Sequence, residues 1–201
     1  EVDILDIKKS LIYDAFEDND GLLNFNQVKE LGLSYYTLNL MLANKEVSSD
    51  ERGLYSLPDV YIDEWFAIQH RFPKGIFSLD SALWLHGLSL TVPFQFTLSF
   101  PYGTNTKNLK HNNILPIVLR SYYDIGVDRL ERQPNQIISV YSKERTLVEC
   151  LRPIYKMDIQ LISSAFQMYF KENKYNLDEL YYYGKLFKVT SKLQSYIEVL
   201  T

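Results

Sequence analysis

The chain has 201 residues, 46% of them hydrophobic and 23% charged, which is enough apolar material for one large domain or two small ones with real cores. A formal net charge of −4 excludes a global basic footprint, so any contact with nucleic acid must run through a local patch. The single cysteine excludes an internal disulfide, no apolar run approaches a membrane span, and no secretory pattern opens the chain, which together predict a cytoplasmic protein.

Residues 4–16 place Ile4, Ile7, Leu11 and Ala15 on one face, widened by Ile12 and Phe16, which predicts an amphipathic first helix ended by Asp18-Asn19-Asp20-Gly21. From Phe25 to Leu31 a second helix is expected, with Val28 and Leu31 three apart, Asn26 placed to cap its start and Gly32 to end it. Ser34 is placed to cap a third helix running to Lys45. Leu38, Met41 and Leu42 form its docking stripe, and Tyr35, Tyr36, Asn39 and Leu40 its opposite face. Glu46-Val47-Ser48 and Leu54-Tyr55-Ser56-Leu57, joined by Ser49-Asp50-Glu51-Arg52-Gly53, read as a hairpin stopped by Pro58. A helix, a glycine turn, a second helix and a two-stranded wing over residues 21–57 predict a winged helix-turn-helix, whose second helix is shaped for the DNA major groove.

Charge constrains how such a unit works. Residues 1–58 carry 5 basic against 11 acidic side chains, net −6, whereas the remainder carries 16 against 14, net +2. Phosphate contacts need cations. The segment from Ser34 to Lys45 contains no acid at all, so the charge is expected to segregate by face. The candidate DNA-contacting residues are Lys29, Lys45 and Arg52 toward phosphates, with Ser34, Tyr35, Tyr36, Thr37 and Asn39 on the helix that meets the bases. A module that binds a protein partner through the same helices is the alternative, favoured by the acidic balance.

Beyond the wing, Asp59 to Arg71 reads as a helix carrying Trp65, Phe66 and Ile68 and closing at Pro73. A domain boundary is expected here, giving a winged helix domain over 1–71 and a second domain over 72–201, with no Gly/Ser linker between them. Ser78 is placed to cap Leu79 to His86, with Gly87 after the helix end. Phe94 to Phe100 alternates strictly and predicts a strand with a buried aromatic face. Ile114–Leu119 and Gln136–Tyr141 are further strand candidates, separated by a polar stretch, Arg129 to Asn135, that contains Pro134. Ser142 is placed to cap Lys143 to Leu151. The remainder is expected to be helical over Asp158 to Lys171, Asn176 to Leu186 with Glu179 completing a capping box, and Thr190 to Leu200. This order describes an α+β protein: an N-terminal winged helix-turn-helix followed by a mixed α/β C-terminal domain with a helical tail.

Chemistry is sparsely signalled. His70, His86 and His111 have no Cys or His partner at ligand spacing, so neither a metal nor a cofactor is expected. There is no Gly-x-Ser-x-Gly elbow, and His86 follows Ser81 by five residues on a helix, poor spacing for a base and its nucleophile. Cys150 is expected to pack in a helix. Glu172-Asn173-Lys174 has the letters of a metal-dependent nuclease but falls at a helix end, and the expectation is that the protein is not an enzyme.

Four segments together resemble the AbiEi family of antitoxins, which belong to bacterial type IV toxin–antitoxin and abortive phage infection systems. They are Gly21 to Leu57, Arg71-Phe72-Pro73-Lys74-Gly75-Ile76-Phe77-Ser78, Ser81-Ala82-Leu83-Trp84-Leu85-His86-Gly87-Leu88, and Lys143-Glu144-Arg145-Thr146-Leu147-Val148-Glu149-Cys150-Leu151-Arg152. The resemblance implies a first domain that represses transcription of its own operon by binding inverted repeats in double-stranded DNA, two protomers together. It also implies a second domain that counteracts a nucleotidyltransferase-like toxin, without requiring a direct complex. Relatives often carry arginines where this chain has Asn39 and Leu40, so base contacts do not carry over at those positions. Arg145, in the family-like ERTL segment, is either a structural ion-pair centre or an antitoxicity residue.

Overall fold

The computed structural model describes residues 3–50 and 53–201. Among them it is an α+β structure with nine α-helices, a three-stranded sheet, a five-stranded sheet and a closing run of three helices. Two compact units are distinguished, Glu1–Ala67 with Glu131–Ile137, and Ile68–Leu130 with Ile138–Thr201. No helix among the described residues is long and apolar enough to cross a membrane.

In the first unit the order is α1 (Ile4–Asp18), β1 (Leu22–Asn24), α2 (Phe25–Glu30), α3 (Tyr35–Ala43), β2 (Ser48–Ser49) and β3 (Leu54–Ser56). β3 lies in the middle of an antiparallel sheet, with Leu22 opposite Ser56 on one side and Ser49 opposite Tyr55 on the other. Ile12, Phe16, Leu23, Val28, Leu38, Met41 and Val47 form its core. Gly32, at φ +64°, closes α2 by donating from its N–H to Lys29 O at 3.1 Å.

Three expectations change here. Strand β1 is a third strand that the chain pattern conceals, because three residues are too few to display a period of two. The cap of α2 is Asn24, not Asn26. Asn24 Oδ1 accepts from Gln27 N at 2.8 Å while Gln27 Oε1 accepts from Asn24 N at 2.9 Å, a reciprocal box that leaves Asn26 exposed. In α1 the buried side is Ile12, Ala15 and Phe16, whereas Ile4, Ile7 and Leu11 are 69%, 49% and 56% exposed.

The first unit also includes residues 131–137, held by polar contacts distant in sequence. Arg132 Nε reaches both oxygens of Asp63 at 3.1 and 3.2 Å. The Gln136 amide accepts from Asp63 N and donates to Tyr61 O, both at 2.7 Å. Asp63 Oδ1 also accepts from Trp65 N at 3.2 Å, so α4 (Glu64–Arg71) starts there and not at Asp59.

The five-stranded sheet has the order β6-β5-β4-β8-β7, built from β4 (Ile76–Phe77), β5 (Phe96–Pro101), β6 (Ile114–Leu119), β7 (Val127–Gln133) and β8 (Gln136–Tyr141). β4 runs antiparallel to β5 and parallel to β8, and β5 runs parallel to β6. Phe94 does not join β5 and is 95% exposed; within β5, Thr97, Leu98, Ser99 and Phe100 are all buried, so both faces are covered. The polar stretch that included Arg129 and Arg132 is largely the strand β7, whose polar pattern fits its place at the sheet edge. Helices α5 (Leu79–Leu85), α6 (Lys143–Glu149), α7 (Ile159–Lys171), α8 (Leu177–Leu186) and α9 (Thr190–Leu200) enclose a core that includes Leu83, Leu147, Phe166, Leu180 and Leu193. Cys150 is buried in it, and that burial pushes its thiol pKa well up, which suits a packing role.

Candidate nucleic-acid interface

The side chains expected to meet DNA converge on α3 and its flanks. Ser34 Oγ accepts from Thr37 N at 3.2 Å and from Thr37 Oγ1 at 3.0 Å, which caps the helix. Leu38 and Met41 are buried and anchor α3, which turns Tyr35, Tyr36 and Asn39 outward. Tyr36 is 74% exposed. Thr37 is a correction, since it is 0% exposed and its hydroxyl is engaged with Ser34, so it holds the helix start and meets no ligand.

Lys29 in the last turn of α2 and Lys45 just beyond α3 are both exposed. Lys45 adopts φ +60° in the left-handed region as the chain leaves α3, its N–H donating to Leu42 O at 3.1 Å. Neither lysine lies within 4.0 Å of a carboxylate among the described residues. Lys9, in contrast, is paired with Glu46 at 3.2 Å. α3 itself carries no acidic residue, so its outward face presents phenols, an amide and bordering cations. Such a set can donate to phosphates and exchange hydrogen bonds with base edges. Arg52, the predicted wing contact, lies outside the described residues.

One aromatic residue joins this face that the sequence did not single out as a contact, Phe25. The Phe25 and Tyr35 rings stand 5.6 Å apart, tying the start of α2 to the start of α3. Phe25 N donates to Gly53 O at 2.8 Å, which adds the wing to the same cluster. Burial, reinforced by the neighbouring Tyr35 phenol, raises the Tyr55 pKa. The ten-residue separation of Phe25 and Tyr35 matches no secondary-structure period, so only the turn at Gly32 reveals the pairing.

The other candidates are placed elsewhere. Arg145 is fully buried, with Nη2 3.1 Å from Glu149 Oε2, Nη1 donating to Tyr122 O and to Ile125 O, and its guanidinium 3.6 Å from the centre of the Tyr141 ring. These contacts make Arg145 a buried ion-pair centre. Ser78 makes no cap bond; it accepts from Ser99 Oγ at 2.9 Å, while Ser81 Oγ accepts from Thr97 N at 2.8 Å, so both fasten α5 to β5. His86 donates from Nε2 to the Tyr141 carbonyl at 2.7 Å, and burial lowers its pKa. Glu172 pairs with Lys143 at 3.3 Å and Lys174 is exposed. No group of three His, Cys, Asp or Glu able to hold a metal occurs among the described residues.

No family model matches the sequence, and no curated protein matches it. Among solved structures, the fold is similar to the crystal structure of RV2827C protein from Mycobacterium tuberculosis, at 10% identity and a TM-score of 0.49, over 80% of this chain and 74% of that one.

Proposed function

We propose that the first unit is a winged helix-turn-helix that binds double-stranded operator DNA, and that the protein is an antitoxin repressing its own operon. The observation that carries the DNA-binding half is the run α1-β1-α2-α3-β2-β3 with sheet order β1-β3-β2, in which α3 turns an acid-free face outward. That arrangement suits insertion of α3 into a major groove while the β2–β3 wing meets the adjacent backbone. Tyr35, Tyr36 and Asn39 then face base edges, and Lys29 and Lys45 face phosphates. The antitoxin half rests on the family-like motifs of the sequence, which imply a nucleotidyltransferase-like toxin as functional partner and two protomers on inverted repeats.

The test is titration of the region upstream of the protein's own gene by gel shift or fluorescence anisotropy at several salt concentrations. Saturable binding that weakens steeply with salt and exceeds binding to unrelated duplex supports the proposal. No shift at micromolar protein and low salt overturns it, and leaves a protein-binding module as the reading consistent with the net −6 of residues 1–58.

A further inference from the structure

Within the second unit, a cleft of about 510 Å³ opens between the end of β6 and the residues that follow, the Arg152–Tyr155 turn, and the end of α8. Its volume falls inside the range of roughly 300–1,000 Å³ usual for small-molecule sites. Arg120, Arg152 and Lys188 line it, and no carboxylate does. None of the three is within 4.0 Å of a carboxylate among the described residues. Glu149, the buried acid at the end of α6, makes its direct ion pair with Arg145 at 3.1 Å and acts on Arg152 only from a greater distance, so Arg152 has no carboxylate in contact.

The cations are held in place. The Arg152 guanidinium stands 5.5 Å from the Tyr155 ring centre and 5.3 Å from that of Phe187. Arg120 lies 5.0 Å from the Tyr102 ring. Lys188 follows the cap of α8 at φ +58°, with its N–H donating to Lys185 O at 3.2 Å, which fixes where its side chain leaves the chain. Beside these charges the wall offers flat and apolar surface from Tyr155 and from Ile154, which is 71% exposed. A larger cleft in the first unit, about 710 Å³, lacks this character because Asp14 and Asp18 line it along with Lys8.

Three cations with no carboxylate in direct contact call for a ligand with several negative charges, and the adjoining ring and aliphatic surface calls for a planar apolar part. We propose that this cleft binds a nucleotide, its phosphates on Arg120, Arg152 and Lys188 and its base against Tyr155 and Ile154, whether free or as the end of an RNA strand. The site is separate from α3 and independent of the DNA-binding reading.

Calorimetric titration of the whole protein with ATP, GTP, sodium pyrophosphate and a short single-stranded RNA, at low salt, tests it. Saturable binding of a nucleotide or of the RNA is expected, stronger than that of pyrophosphate. Arg120→Gln and Lys188→Gln, both at exposed positions, should each weaken it about tenfold or more at unchanged melting temperature, since a charge-assisted hydrogen bond contributes about that much. Tighter binding of the RNA than of free nucleotide, with the two competing, identifies a strand as the source; the reverse identifies a free nucleotide. Three results overturn the proposal: no saturable binding of any nucleotide or RNA at millimolar concentration, pyrophosphate binding as tightly as the nucleotides, or both variants binding like the parent.

Discussion

Arg145 and Glu149 stand one turn apart on α6 and form an ion pair closed to water, 3.1 Å between Nη2 and Oε2, with side chains 0% and 2% exposed. The arginine's remaining hydrogen bonds go to the carbonyls of Tyr122 and Ile125, and the Tyr141 ring covers its plane. Burial pushes the Glu149 pKa up against the pull of Arg145. The pair thus fastens α6 to the loop before β7, and each partner's charge depends on the other.

Removing one partner should therefore cost more than removing both. Arg145→Met leaves a buried carboxylate uncompensated and is expected to lose about 3–5 kcal/mol of stability. The double variant Arg145→Met with Glu149→Leu should recover part of that loss. Denaturant unfolding measures both, and a single-variant loss below about 1 kcal/mol would contradict the structural role.

On α3, neighbouring substitutions should separate stability from recognition. Tyr36→Ala and Asn39→Ala remove exposed groups and should weaken operator DNA more than unrelated duplex, at unchanged melting temperature. Thr37→Val removes the buried hydroxyl bonded to Ser34 and should cost about 1 kcal/mol of stability instead. Lys45→Ala should weaken all sequences alike and flatten the log–log salt slope by about 0.9. Equal salt slopes for parent and Lys45→Ala would remove that lysine from the phosphate contacts.

Two glycines with similar backbones should respond differently to alanine. Gly21 holds φ +80°, and a Cβ there would stand 2.5 Å from Val60 Cγ2, whereas Gly32 at φ +64° faces open space. Gly32→Ala should cost only the left-handed strain, on the order of 1 kcal/mol, and Gly21→Ala appreciably more because Val60 must move as well. Comparable melting temperatures for the two variants would show that Val60 yields freely.

His86 gives the protein a pH dependence of defined sign. The Tyr141 carbonyl only accepts, so Nε2 carries the proton, and burial keeps the folded imidazole neutral to lower pH than usual. Unfolded, the ring protonates near pH 6.5. Below about that value the unfolded chain binds more protons, so this contribution is complete above about pH 6.5 and is lost as pH falls toward the lowered folded value. The stability difference between the parent and His86→Gln should accordingly shift against the parent between pH 7.5 and 5.5. A difference that stays constant across that window would sink the argument.

Much of the architecture is legible from local pattern. Ser34, Ser142 and Asn176 each cap the helix that their position announces, because a cap is a contact across three residues, but the box expected with Glu179 is not closed, since Asn176 N donates to Tyr169 Oη at 2.7 Å. The strands Ile114–Leu119 and Gln136–Tyr141 stand where their apolar runs place them. β1 and β7 escape detection for different reasons, the first because it is too short for a period and the second because it is polar at an edge. Of the candidate contact residues, Tyr35, Tyr36 and Asn39 face outward as the stripe of Leu38 and Met41 requires, and Thr37 does not, because its hydroxyl finds its partner within the cap.

The amino-acid order alone determines the Ser34 and Ser142 caps, the glycine turn between α2 and α3, and the acid-free composition of α3, since these depend on neighbours within a few residues. Only tertiary structure decides that α1 buries Ile12 and Phe16 and not Ile4 and Ile7, that Gln136 holds Asp63 and Tyr61, and that Arg145 is enclosed by Tyr141 and Glu149. It also decides that Arg120, Arg152 and Lys188 line one cleft. The physical reason is common to all four: burial and charge compensation depend on which distant segments pack together, and no local period encodes them.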